Sequence, residues 1–191
     1  MVLKRQPGTG AISTAAKRSI VLVILVAAAG LLFLLLVAKE GPRTKKIIQE
    51  GDQAPGFSLS ALDGKQSGLS DYRGKVVMVH FWATWCPPCV DELPTLERIY
   101  RSFAGRDFVL LAVSVDEGGS EAVTSFMQRN RLTMPVLLNP GGSVAKSYGT
   151  FKFPETYLLD RSGIVRYKVI GSADWSLPAN VKAIRDMIDH Q

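Results

Sequence analysis

The amino-acid sequence predicts an α/β domain. Two runs, Val76–Trp82 and Phe108–Val115, are apolar on both faces, and a shorter one follows at Val136–Leu138. Between the second and third, Ser120 to Arg131 carries helical spacing through Ala122, Val123, Phe126 and Met127. A strand without a polar face is covered on both sides, and strands that alternate with helices favour parallel pairing.

Taken in order, residues 1–19 form a short basic segment and residues 20–38 an uncharged apolar span. As a helix, nineteen residues reach about 29 Å, which predicts a single transmembrane anchor. A cleaved secretory signal is the competing reading, but its apolar region is usually shorter, and Leu36-Val37-Ala38 lacks the small residue such a site wants. Lys4, Arg5, Lys17 and Arg18 before the span balance Lys39, Arg43, Lys45 and Lys46 after it, so the charges leave its orientation open. Residues 39–50 read as a polar linker with Pro42, and residues 51–191 as the folded domain.

Within that domain, Phe57 to Leu62 alternates before the turn signal Asp63-Gly64, predicting an N-terminal hairpin that ends near Asp71. Ser120 is the candidate N-cap of the helix after the second strand. Thr156–Leu159 and Ile164–Val169 flank Asp160-Arg161-Ser162-Gly163 as a second hairpin, and Leu177 to Ile188 forms an amphipathic helix through Val181, Ile184 and Ile188.

The formal charge of +6 does not point to nucleic acid. Residues 1–50 hold eight basic and two acidic side chains, and the remainder holds fifteen of each. A neutral domain has no surplus from which to build a basic face.

Cys86 and Cys89 are the only cysteines, in Trp82-Ala83-Thr84-Trp85-Cys86-Pro87-Pro88-Cys89 directly after the first apolar run. Thiols at i and i+3 on a first helical turn reach disulfide distance, so the pair reads as a redox dithiol. A structural zinc site wants four ligands, and the chain adds only His80 and His190 to the two cysteines. A helix N-terminus stabilises a thiolate, which makes Cys86 the candidate nucleophile and Cys89, one turn further in, the resolving thiol. Glu92, three residues after Cys89 on the same face, is the candidate proton handler if it is buried, and a solvated glutamate if it is not. Trp85 is a candidate apolar rim over the nucleophile, against a plain core aromatic.

These residues, with Pro94 and the later Phe153-Pro154-Glu155-Thr156-Tyr157-Leu158-Leu159-Asp160, resemble the thioredoxin superfamily and, more narrowly, the membrane-tethered TlpA/ResA/CcmG group of thiol-disulfide oxidoreductases. Gly51 to Phe57 resembles that group's first residues, and residues 117–139 its helix-strand insertion. The resemblance covers about residues 51–189. It implies a thioredoxin-like fold: a central mixed sheet flanked by helices, with an N-terminal β-hairpin and the insertion, behind the N-terminal span. It implies a cis peptide before Pro154 opposite the dithiol, with Phe153, Pro154, Glu155 and Trp85 bordering the substrate groove, and it strengthens Glu92, since ResA-like members carry a glutamate there. It also places the redox domain on the extracytoplasmic, periplasmic side of the cell membrane. One position departs from the pattern: His80 stands six residues before Cys86, where cytoplasmic thioredoxins carry a buried acid. There it is either a base or a histidine satisfying one hydrogen bond.

Three function classes follow. The first is an enzyme that reduces disulfides in client proteins such as apocytochrome c during cytochrome c maturation, supplied by a membrane electron donor and needing no cofactor beyond the Cys86–Cys89 disulfide. The second is a disulfide oxidase or general exchanger. The third, a non-enzymatic metal- or partner-binding module, wants a histidine downstream of the cysteines, and none lies between residues 81 and 189. A peroxidatic Thr-x-x-Cys pattern is absent, because position 83 is Ala.

Overall fold

The computed structural model describes residues 14–38 and 46–190. The chain divides into two units, residues 1–44 and 45–191. In the first, helix α1 runs from Thr14 to Ala38. The expected membrane anchor over residues 20–38, and with it the extracytoplasmic placement of the domain, is not met: among the described residues no helix is long and apolar enough to cross a membrane. The flanking residues 1–13 and 39–45, which make up most of the basic segment and most of the linker, lie outside the described residues.

The second unit is built on one seven-stranded sheet. Its strands are β1 (Ser58–Ala61), β2 (Gln66–Gly68), β3 (Val76–Trp82), β4 (Phe108–Ser114), β5 (Val136–Leu138), β6 (Glu155–Leu159) and β7 (Val165–Ile170), in the spatial order β2-β1-β5-β4-β3-β6-β7. The pairs β3–β4 and β4–β5 are parallel, and the other four are antiparallel. Every residue of β3 is buried, as an apolar run in the middle of a sheet must be.

The helices are α2 (Pro87–Ser102), α3 (Gly119–Arg129), α4 (Ser143–Tyr148) and α5 (Pro178–His190). Strand alternation sorts them. Trp82 meets Phe126 of α3 and His80 meets Glu92 of α2 on one face, while the neighbouring Phe81 stacks edge-on against Tyr148 of α4 on the other. In α2 the buried positions Cys89, Glu92, Leu93, Leu96 and Ile99 follow helical spacing and turn one stripe to the sheet.

Two details differ from the expectation. Helix α3 starts at Gly119 with Gly118 as N-cap and no capping side chain, so Ser120 lies inside the first turn. Helix α4 was not anticipated, because six residues are too few to show a period. It ends at Gly149, whose backbone is left-handed at φ +76°, where an added Cβ would stand 2.7 Å from the Cα of Ile47. There the chain enters the folded unit, with the Ile48 N–H donating to the Tyr148 carbonyl at 3.0 Å.

Candidate active site

Strand β3 delivers the chain through Ala83 and Thr84 to Trp85 and Cys86, and α2 begins at Pro87. Cys86 is the N-cap in extended conformation, with Pro87 and Pro88 in the first turn. Cys86 and Cys89 form a disulfide with Cα atoms 5.3 Å apart, so the structure holds the oxidised form. Cys86 keeps 6 % of its surface exposed and Cys89 keeps none. An N-cap side chain ordinarily accepts from the N–H of the second or third helical residue. Here the second is Pro88, which has none, and only the Cys89 N–H remains.

The turn into the helix is fixed by a residue that sequence reasoning missed. Asp116 is buried just beyond β4, and its carboxylate accepts the Thr84 N–H at 3.1 and 3.2 Å, the Thr84 hydroxyl at 2.6 Å and the Ser114 hydroxyl at 2.7 Å. Its only sequence signal is an acid at a strand end.

Trp85 is 63 % exposed and its ring lies edge-on to Phe153, centroids 6.3 Å apart. The Phe153–Pro154 peptide is cis. Trp85, which immediately precedes Cys86, lines a cavity of ≈ 610 Å³ with Phe151, Phe153, Ile47, Val115 and Ala145. Phe151 is 73 % exposed at its edge.

Glu92 is buried on α2. Its Oε2 accepts the Ala173 N–H at 2.8 Å and the Trp175 indole N–H at 3.2 Å, both from the loop before α5. Its Oε1 has no hydrogen-bond partner and stands 3.4 Å from Nε2 of His80, itself unpartnered and fully buried. The other ring nitrogen of His80 is 2.9 Å from the Thr156 hydroxyl. Burial raises the Glu92 carboxyl to about 7 against the pull of its two N–H donors, and burial alone lowers the His80 imidazolium to about 3. The two are close enough for an ion pair, yet the site disfavours both charges, so imidazole and carboxylic acid are the pair below about pH 7.

Glu155 is placed elsewhere. It is buried on the opposite face of the sheet, paired with Lys168 Nζ at 3.0 Å and accepting the Tyr157 hydroxyl at 2.7 Å, and it does not line the cavity. Lys168 also donates to the Ile48 carbonyl at 2.9 Å. Trp85 and Phe153 thus meet on the cavity wall, and the cis-proline directly precedes β6, the strand paired with β3. Glu92 is held by Ala173, Trp175 and His80, and Glu155 faces the other side of the sheet.

A buried strand leading into a dithiol at a helix N-terminus, with a cis-proline at the start of the neighbouring strand, defines a thioredoxin-like redox protein. Residues 50–168 match the AhpC/TSA family, and the chain belongs to that family. It is 35 % identical over 153 residues to the thioredoxin-like protein YneN of Bacillus subtilis, covering 75 % of this chain and 89 % of that protein. It is 34 % identical over 155 residues to the thiol-disulfide oxidoreductase ResA of Bacillus thuringiensis, covering 81 % and 86 %. A crystal structure from Chlorobium tepidum, assigned as a thiol:disulfide interchange protein DsbE, superposes with a TM-score of 0.63 at 30 % identity, covering 74 % of this chain and 96 % of that one. The chain is a thiol-disulfide oxidoreductase of the ResA/DsbE type.

Proposed function

We propose that the chain reduces disulfides in client proteins, with apocytochrome c as the client class that the resemblance to the ResA group implies. The observation that carries the direction is the pair of prolines at the start of α2. Pro88, at the second helical position, removes an N–H group that would otherwise stabilise a Cys86 thiolate, and a couple whose reduced form is poorly stabilised gives up its electrons readily.

In the reduced protein, the Cys86 thiolate attacks one sulfur of the client disulfide. That S–S bond breaks, a mixed disulfide forms, and the first client thiolate leaves. The Cys89 thiol then passes its proton to the Glu92 carboxylate and attacks Cys86 Sγ, closing the Cys86–Cys89 bond as the second client thiolate departs. Two electrons move to the client, and a membrane electron donor restores the dithiol. Trp85, Phe153 and Pro154 hold the client chain against the apolar cavity, where Cys86 is the sulfur it meets first.

The test is a Cys89→Ser chain incubated with disulfide-bearing clients, together with the potential of the unaltered dithiol. Mixed disulfides joined through Cys86 and a potential near ~−270 mV are the expected results. A value near ~−120 mV, typical of strong oxidants, defeats the reductant reading.

A further inference from the structure

The His80–Glu92 pair shows two buried polar atoms facing each other, Nε2 and Oε1, each without another partner. On the far side of the ring, Nδ1 meets a hydroxyl, the one group here able to donate or accept. We infer that His80 is a positioning residue for Glu92: its neutral imidazole changes tautomer as the carboxyl gains or loses its proton, and the Thr156 hydroxyl reverses its hydrogen bond to match.

The geometry allows two complementary arrangements. Oε2 is already occupied as an acceptor by Ala173 and Trp175, so a proton on the carboxyl resides on Oε1. When it is there, Oε1–H donates to a bare Nε2, and the ring N–H at Nδ1 donates to the Thr156 oxygen. When the carboxyl is ionised, Nε2–H donates to Oε1, and the Thr156 hydroxyl donates to a bare Nδ1. In both arrangements Oε1, Nε2 and Nδ1 each keep a partner, and neither charges the ring, which agrees with the strong burial of His80. A carboxyl that must exchange a proton with the resolving thiol in a water-excluded pocket thereby keeps a partner in both states.

Among the described residues, the titratable groups on the elements around the pair are few, and β7 brings the Tyr167 hydroxyl-bearing ring into the cavity that Thr156 and Trp175 line. Helix α2 presents Cys89, one turn toward its N-terminus and disulfide-bonded here. Strand β4 sets Ala112 beside His80, and α5 brings Asn180 and Ile184 to the Thr156 side of β6. In the loop before α5, the Asp174 carboxylate accepts from Ser176 at the surface, with the positive charge of Arg98 acting on it there.

The inference rests on the proton role proposed for Glu92, but its test does not read activity, so the two can fail separately. In the oxidised full chain carrying His190→Gln, ¹⁵N imidazole and ¹³C carboxyl resonances are followed from pH 5 to 9. The protonated nitrogen of His80 is expected to move from Nδ1 to Nε2 over the pH range in which Glu92 ionises, and to stay put in Glu92→Gln. A tautomer that does not change while Glu92 titrates, or an imidazolium anywhere in that range, overturns the proposal. Two variants carry opposite signs. His80→Phe removes the donor to the carboxylate and should raise the Glu92 midpoint by about one pH unit. Thr156→Val leaves Nδ1 without a partner, and since a buried orphan N–H is the costlier defect, the ring settles with Nε2–H toward Glu92 and the midpoint falls. Shifts of the same sign, or none, refute it.

Discussion

Thr84 and Asp116 are joined by three hydrogen bonds across thirty-two positions of sequence, tying the segment before Cys86 to the end of β4. Backbone and side chain of Thr84 are both held, so the placement of Trp85 and Cys86 depends on a carboxylate outside the motif. Asp116→Ala should cost about 2 kcal/mol in chemical denaturation, because it removes the acceptor of the half-buried Thr84 N–H and hydroxyl and of the buried Ser114 hydroxyl, and should slow client reduction several-fold. Full activity with lowered stability would confine Asp116 to folding.

Glu92 links the site to pH. Its folded value of about 7 lies above the ordinary 4.5, so the folded protein binds this proton more tightly than the unfolded chain. The stability it contributes is complete below about pH 4.5 and is lost as pH rises toward 7, on the order of 3 kcal/mol at most. Glu92→Gln mimics the protonated acid and should flatten that decline, leaving the variant the more stable above pH 7. Urea denaturation at pH 5 and pH 8 measures it. In exchange assays the same variant should lose the inflection near pH 7.

Pro88→Ala restores an N–H aimed at Cys86. The added donor should stabilise the thiolate and raise the reduction potential by about 30 mV, a tenfold change in the dithiol–disulfide equilibrium. Equilibration with glutathione mixtures gives the value, and an unchanged potential would show that the missing donor does not hold the couple reducing.

Glu97 offers a contrast on the same helix. Burial opposes its ionisation, yet the Thr133 hydroxyl and N–H, Arg101 and the Met134 N–H together hold its carboxyl below the usual range. Its contribution is present at neutral pH and lost as pH falls through that lowered value. Glu97→Ala should destabilise by about 3 kcal/mol at pH 7 and leave the potential unchanged.

Trp85→Ala removes a ring that is mostly in water, so thermal stability should hardly change. If the ring helps to hold the client, KM for a protein disulfide should rise several-fold while reaction with a small thiol reagent stays constant. Equal losses toward both substrates would place the ring's role at the sulfur itself.

The legible parts of this chain were those with local signatures. The apolar runs at Val76–Trp82 and Phe108–Val115, the hairpin around Asp160–Gly163 and the Cys86–Cys89 spacing each declare themselves within ten residues. What stayed hidden depends on docking between distant segments. Asp116 reaches Thr84, Trp175 reaches Glu92 from eighty-three residues away, and His80 meets Glu92 only because α2 lies on one particular face of β3. Glu155 was misplaced for a related reason: adjacency to Pro154 says where the backbone goes, while strand alternation decides which side receives the carboxylate.

That alternation separates two neighbours in sequence. Glu155 joins a charged cluster with Lys168 beneath α4, and Thr156 faces His80 beneath α2. The peptide bond between them is a partition wall: a change at 155 should register in melting behaviour and one at 156 in titration, so the protein's durability and its acid–base tuning are open to independent adjustment one residue apart.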